Sequence, residues 1–157
     1  MAQVPVLAHP ASLHESGATR IIPFDLSRQM QIPYAATSPN LMASFIRINP
    51  GDDLSTDATA TSQAFYIIRG SGSSVTEHGT ITWSEGDLFV IPATETSIVH
   101  TSTSDTAIYW VTDEPLMRYL GVKPNVCKFN MTLFRKEKML AEVERIKHQP
   151  GSLSYQF

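Results

Sequence analysis

Residues 51–70 read G-D-D-L-S-T-D-A-T-A-T-S-Q-A-F-Y-I-I-R-G, and residues 86–97 read G-D-L-F-V-I-P-A-T-E-T-S. The first stretch leaves a polar, turn-forming run (Asp52, Asp53, Ser55, Thr56, Asp57), enters the apolar run Ala64–Ile68 and closes on Gly70-Ser71-Gly72. The second leaves the turn Ser84-Glu85-Gly86-Asp87, enters Leu88–Ile91 and stops at Pro92. Short apolar runs bounded by Gly, Pro, Asp and Ser read as strands between turns.

The same grammar extends outward in both directions. Leu41–Ile48 is a strand ended by Asn49-Pro50-Gly51. Ser74–Thr76 and Thr80–Trp83 flank Glu77-His78-Gly79, where the glycine supplies the positive φ of a tight hairpin. Ile98–Thr101 and Ala107–Thr112 complete the series. No βαβ alternation, internal repeat or low-complexity tract is present. The chain therefore reads as an all-β antiparallel domain.

The two ends differ from this middle. Residues 1–40 are broken by Pro5, Pro10, Pro23, Pro33 and Pro39, with one short strand at Thr19–Ile22. This arm is expected to lie across the β domain or to reach a partner subunit. Near the other end, Thr132 reads as the N-cap of a helix from about Leu133 to His148. Leu133, Met139, Leu140, Val143 and Ile146 form its apolar stripe, and Pro150-Gly151 stops it. Ser152–Phe157 alternates like the start of a further strand, which suits either a longer protein or a short docking tail.

Composition narrows the function classes. A chain of 157 residues with 42% hydrophobic and 17% charged residues has the makings of one domain with a real core. A formal net charge of -3 gives nucleic-acid binding no electrostatic support. The basic residues between Arg135 and Lys147 are interleaved with Glu137, Glu142 and Glu144, the pattern of a solvated helix face. No apolar run is long enough to span a bilayer, and no basic start followed by an apolar stretch marks a secretory signal. Cys127 is the single cysteine, so no intrachain disulfide forms and a reducing cytoplasm is the expected location.

The spacings of the two quoted stretches resemble the two sequence motifs of the cupin family, G-(x)5-H-x-H-(x)3,4-E-(x)6-G and G-(x)5-P-x-G-x-x-H. The resemblance implies a cupin (RmlC-like) jelly-roll barrel over residues 41–120. An irregular N-terminal arm (1–40) would precede it, and a linker with one C-terminal helix (121–157) would follow. Within the family the chain most resembles the gentisate 1,2-dioxygenase group of two-barrel, ring-cleaving enzymes. Their H-R-H-T-x-x-A-L-R-F-I-I-E-G corresponds to Asp57–Gly70. Their later G-D-L-(x)3-P, I-W-L and P-L correspond to Gly86-Asp87-Leu88, Pro92, Ile108-Tyr109-Trp110-Val111 and Pro115-Leu116.

The resemblance fails at the metal ligands. Where the family places its metal ligands, this chain has Asp57, Thr59, Gln63 and Ser97. One carboxylate and three neutral oxygens suit Fe(II) poorly, and calcium sites need more carboxylates. No metal site is therefore expected, and iron is the alternative cofactor. His100 falls three positions after the second-motif ligand position, and one inserted residue would align it with a second His of the group's H-D-H, near substrate. It is the candidate catalytic base, with Asp57 as a possible orienting partner. The bland reading is a strand histidine satisfied by hydrogen bonds.

The candidate pocket residues are Asp57, Thr59, Gln63, Ser97, Arg47 and Tyr109. The two last would pair with a substrate carboxylate and stack an aromatic ligand if they point inward; otherwise they serve surface or core. His78, beside Gly79 in a turn, is expected to be exposed and inert. Three readings follow: a metal-free structural or assembly barrel, a metal-free enzyme resembling the cupin sugar epimerases with His100 as base, and a small-molecule binding module. A dioxygenase-like enzyme with weakly held iron is the remaining enzymatic variant. The first reading is preferred, with a homo-oligomer or a second cupin barrel as partner.

Overall fold

A computed structural model of the chain describes residues 4–148. In chain order the elements are α1 (Ser12–Glu15), β1 (Arg20–Pro23), α2 (Ser27–Met30), β2 (Met42–Ile48), β3 (Asp53–Thr56), β4 (Ser62–Arg69), β5 (Ser71–Thr76), β6 (Gly79–Ser84), β7 (Leu88–Pro92), β8 (Ile98–Ser102), β9 (Thr106–Thr112), α3 (Glu114–Leu120), β10 (Thr132–Phe134) and α4 (Lys136–Lys147). The strands form two antiparallel sheets, one of six strands ordered β1-β2-β9-β4-β7-β10 and one of four ordered β3-β8-β5-β6. Strand neighbours that are distant in sequence, such as β2 and β9, give the crossed connectivity of a double-sheet jelly roll.

Period-two alternation decides which side chains fill the space between the sheets. Ile46 and Ile48 on β2, Phe65 and Ile67 on β4, Phe89 and Ile91 on β7, and Ile108 and Trp110 on β9 face inward from the larger sheet. Ile81, Trp83 and Ile98 meet them from the smaller one. Phe65 stacks on Phe89 at 4.8 Å and on Trp110 at 5.9 Å between ring centroids. The barrel interior is thus packed with aromatic and branched side chains, each completely or almost completely buried.

The β5–β6 hairpin turns through Glu77-His78, and Gly79 follows at φ 127°, a conformation closed to residues with a Cβ. At Gly72 a Cβ would collide with the Thr101 carbonyl and with the Trp83 ring, so the absent side chain makes room for the indole.

The N-terminal arm lies across the outer face of β2. β1 pairs antiparallel with β2, and Phe24 packs edge-on against Phe45 at 4.7 Å. Arg47 fixes the arm: Nε donates to the Gly17 carbonyl (3.0 Å), one terminal nitrogen to the His14 carbonyl (2.9 Å), and the other to Asn49 Oδ1 (3.0 Å). Arg69 donates to the same His14 carbonyl, and Asp105 pairs with both guanidinium groups at 2.7 and 3.0 Å.

The C-terminal segment departs from the sequence expectation. Thr132 caps no helix; Thr132–Phe134 is strand β10, paired with Leu88–Val90 of β7. Leu133 packs against the core rather than joining a helical stripe. Extended backbone at Arg135 (φ -71°, ψ 139°) then breaks the direction, and α4 starts at Lys136. Its first turn is capped from a distance, because the Lys136 N–H donates to Asp87 Oδ1 at 3.0 Å. Arg135 pairs with Asp87 Oδ2 at 2.8 Å, and the Ser84 N–H donates to the same oxygen. Burial opposes ionisation of Asp87, but the N–H donors of Lys136 and Ser84 and the Arg135 cation outweigh it and hold the carboxyl below its ordinary value. The expected stop at Pro150-Gly151 and the alternation after it lie outside the described residues.

Candidate functional site at one end of the barrel

The loops β3–β4, β5–β6 and β7–β8 meet at one end of the barrel, where the segment after α3 folds over them. A polar cavity of about 570 Å³ lies between. Asp57 and Thr59 line it from the β3–β4 loop, Glu77 from the hairpin, Thr94 and Glu95 from the β7–β8 loop, and Lys123 and Cys127 from the segment after α3. The β3–β4 loop is held by the start of α3: the Thr59 N–H donates to Glu114 Oε1 (3.2 Å) and the Thr61 N–H to Asp113 Oδ1 (2.8 Å). Burial works against ionisation of Glu77. The N–H groups of Glu95 and Thr96, with the Thr96 hydroxyl and His78, still hold its carboxyl below the ordinary value.

The sequence candidates divide between this end and other parts of the molecule. Asp57 is exposed on the cavity wall and Thr59 half-buried there. Gln63 is buried just beneath, with both ends of its amide engaged: Trp110 Nε1–H donates to Oε1 (3.2 Å), and Nε2 donates to Thr94 Oγ1 (3.4 Å). Ser97 is exposed and outside the cavity lining. Arg47 and Tyr109 do not enter the barrel. Alternation along β2 and β9 turns both to the outer face, where Arg47 holds the arm and Tyr109 lies by Phe24 and Phe45.

His100 does point inward, into a closed network rather than a cavity. It is fully buried. Nδ1 lies 2.7 Å from Ser74 Oγ and Nε2 lies 2.9 Å from Thr56 Oγ1. Trp83 Nε1–H, which can only donate, gives its hydrogen to Ser74 Oγ at 2.8 Å. In the neutral ring one nitrogen donates and the other accepts, so the Ser74 and Thr56 hydroxyls take complementary roles at Nδ1 and Nε2. The Phe65 ring closes one side at 5.1 Å. On β8, Ile98 faces inward between His100 and the cavity end. Burial drives the pKa of His100 down to about 3, so the ring is neutral at physiological pH. The Asp57–His100 dyad, one of the two roles open to Asp57, does not form, since hydroxyl groups occupy both ring nitrogens and Asp57 lies at the exposed rim.

No protein-family model matches the chain. Among solved structures, a salicylate 1,2-dioxygenase from Pseudaminobacter salicylatoxidans aligns with a TM-score of 0.56 at 19% identity, covering 78% of this chain and 32% of that one. A cupin 2 conserved barrel domain protein from Leptotrichia buccalis aligns with a TM-score of 0.51 at 15% identity, covering 66% of this chain and 45% of that one. The chain folds as a cupin barrel. A curated relative, the 5-aminosalicylate 1,2-dioxygenase of a Comamonas species, is 29% identical over 110 residues, 68% of this chain and 29% of the relative. The barrel therefore spans under a third of that relative's length.

The residues of this cupin barrel do not fit an Fe(II) centre. Such a centre takes neutral nitrogen donors. Here the four matching positions carry one carboxylate, two hydroxyls and an amide that is already bonded at both ends. Among the described residues, no group of three or more His, Cys, Asp or Glu side chains gathers in a metal-holding arrangement. No described helix is long and apolar enough to cross a membrane.

Lys123 and Cys127 were missed by the sequence reading. They sit in an irregular segment whose path over the cavity no local pattern encodes. His78 is also less idle than expected: Nε2 is 2.8 Å from the Ala93 carbonyl and 3.9 Å from Cys127 Sγ, so it ties the hairpin to the cavity wall.

Proposed function

We propose that this chain is a metal-free cupin barrel, related to the gentisate- and salicylate-type ring-cleaving dioxygenases, that serves as a structural and assembly domain. Its partner is a second copy or a second cupin barrel, and its place of work is the cytoplasm. The polar cavity at the open end is its ligand-binding surface, with Asp57, Thr59 and Gln63 at or just under the wall.

The carrying observation is the filled interior. A barrel that activates oxygen on a ring substrate needs an inward-facing ligand set with room beside it. Here Phe65, Phe89 and Trp110 occupy that space, and the amide at one former ligand position bridges Trp110 to Thr94. The role of His100 follows from the same packing. A base must reach its proton, directly or through one water. His100 reaches only Ser74 and Thr56.

The test is oxygen uptake by the iron-loaded protein with salicylate, 5-aminosalicylate and gentisate. The expected rate equals that of iron in buffer. Turnover that disappears in Asp57→Ala or His100→Gln would establish the enzymatic reading instead.

A further inference from the structure

We propose that the N-terminal arm and α3 form a second ligand site, separate from the polar cavity, that takes an uncharged aromatic compound. A cavity of about 330 Å³ lies between them. Met30, Ile32 and Tyr34 line it from the arm, Pro39 and Asn40 from the turn before β2, and Tyr119 from α3. None of the residues lining it is Asp, Glu, Lys, Arg or His. The polar cavity is the opposite case, with Asp57, Glu77, Glu95 and Lys123 in its wall.

The backbone sets these walls. α2 ends at Met30, and Gln31 follows at φ 56°, ψ 44°. Among the described residues it is the one residue other than glycine with a positive φ. The left-handed region disfavours a side chain, so the surrounding bonds must hold Gln31 there. The Gln31 N–H donates to the Arg28 carbonyl (3.3 Å) and the Ile32 N–H to the Ser27 carbonyl (3.1 Å), which closes the helix end. With the chain reversed in this way, Met30 and Ile32 on either side of Gln31 line the same cavity. The segment is also closed at its base. The Leu26 N–H donates to the Ala36 carbonyl (2.8 Å), and Asp25 Oδ1 accepts from the N–H groups of Ser27 and Ala36. Leu26 and Ala36 are buried and anchor the loop. The Thr37 and Ser38 N–H groups donate to the Leu41 carbonyl, which fixes the turn carrying Pro39 and Asn40. A wall already held by its own hydrogen bonds loses little freedom when a ligand enters.

The lining selects the ligand. Ligand pockets combine apolar and aromatic walls with a few polar groups that orient the guest. Here Met30, Ile32, Pro39 and the rings of Tyr34 and Tyr119 are the apolar part. The amides of Gln29 and Asn40 and the two phenol hydroxyls supply donors and acceptors. Tyrosine walls favour a flat ring, which can stack on them or meet them edge-on. Volume sets the size: a dry cavity of about 150 Å³ takes benzene, so this one has room for one substituted ring or two fused rings. Charge sets the class. An ionised group would give up its water here and meet no counter-charge. A neutral phenol or indole fits the lining, and a ring carboxylate does not.

The experiment is titration of the full chain with indole and with an indole carboxylate, read by calorimetry and by the signals of methyl-labelled methionine. Each apolar recess carries its own reporter: Met30 lines this cavity, Met131 the recess beside His78, and Met139 the cleft under α4. Indole is expected to bind with a Kd below about 1 mM, moving the Met30 signal and leaving Met131 and Met139 in place. The carboxylate is expected to bind roughly tenfold more weakly or worse. Tyr119 is 74% exposed, so Tyr119→Ala leaves the packed core alone, and circular dichroism checks its fold. The variant is expected to raise the indole Kd roughly tenfold. An indole Kd above about 1 mM, a shift at Met131 or Met139 in place of Met30, equal affinity for the carboxylate, or a Kd unmoved by Tyr119→Ala overturns the proposal. No iron enters these measurements, so failure of this site is distinguishable from failure of the metal-free reading.

Discussion

The interior and the open end of this barrel are built from opposite materials. Inside, rings and branched side chains pack against one another, and each polar atom of His100, Ser74 and Trp83 has a partner in the same small network. At the open end, Asp57 and Glu95 stand exposed around a polar cavity, and Lys123 joins them from an irregular segment. The substituted ligand positions straddle the boundary: Gln63 belongs to the interior, Thr59 and Asp57 to the rim, and Ser97 to the surface beyond it. A metal site needs those positions to act as one unit. Here Gln63 is bonded into the packing, Thr59 is half-buried at the rim, and Asp57 and Ser97 are exposed, so the four side chains do not face one another as a single donor set.

The comparison breaks first at Phe65. Its ring touches Phe89, Trp110 and His100. Phe65→Ala should cost about 3–5 kcal/mol in urea unfolding at pH 7, the range for a large side chain removed from a packed core. A loss below about 1 kcal/mol would mean that the interior is loosely filled and has room for a ligand.

His100 offers the next largest effect. Its folded pKa is depressed to about 3, against about 6.5 in the unfolded chain. The unfolded state therefore binds the proton more readily, and the stability conferred by the neutral ring is complete above pH 6.5. It declines as the pH falls from 6.5 toward 3, by several kcal/mol at full charging. His100→Gln should start less stable, with partners left unpaired, and should show a flatter profile across this window. An equally steep profile would assign the acid sensitivity elsewhere.

Asp87, at the opposite end of the barrel, should give an intermediate response. Asp87→Asn weakens the Arg135 pair and the cap on α4, for an expected loss of about 1–3 kcal/mol with reduced helix signal. Because the folded carboxyl is held below its ordinary value, this stabilisation is present above the unfolded pKa near 4. It is lost as the pH drops through the folded one. The variant should accordingly converge on wild type in acid. The rim should respond least: Asp57→Ala and Ser97→Ala, both exposed, should each stay within about 0.5 kcal/mol of wild type. A larger cost at either position would place it within an organised site.

Much of the fold was legible because strands announce themselves by alternation and glycine-proline punctuation, which are local properties. Ala64–Ile68, Leu88–Ile91 and Ala107–Thr112 lie within observed strands, and Leu41–Ile48 overruns β2 by one residue. β3 escaped because Asp53-Leu54-Ser55-Thr56 has the composition of a turn, although Leu54 and Thr56 face inward. β10 escaped because Leu133 fits the helical spacing of Met139 and Leu140 as well as it fits a strand. Only the pairing with β7 decides. The site was harder to read. That Thr56, Ser74 and Trp83 converge on His100 depends on cross-strand registers no single stretch encodes. Arg47 turned outward for the same reason: a one-residue change of register would have sent it inside.

The central claim is tested most directly by iron stoichiometry. The protein would be loaded anaerobically with excess Fe(II), freed of unbound metal and analysed for iron per chain, beside Asp57→Ala and His100→Gln. The account predicts iron far below one equivalent in wild type and no difference among the three. One iron per chain in wild type, lost in the Asp57 or His100 variant, would contradict it.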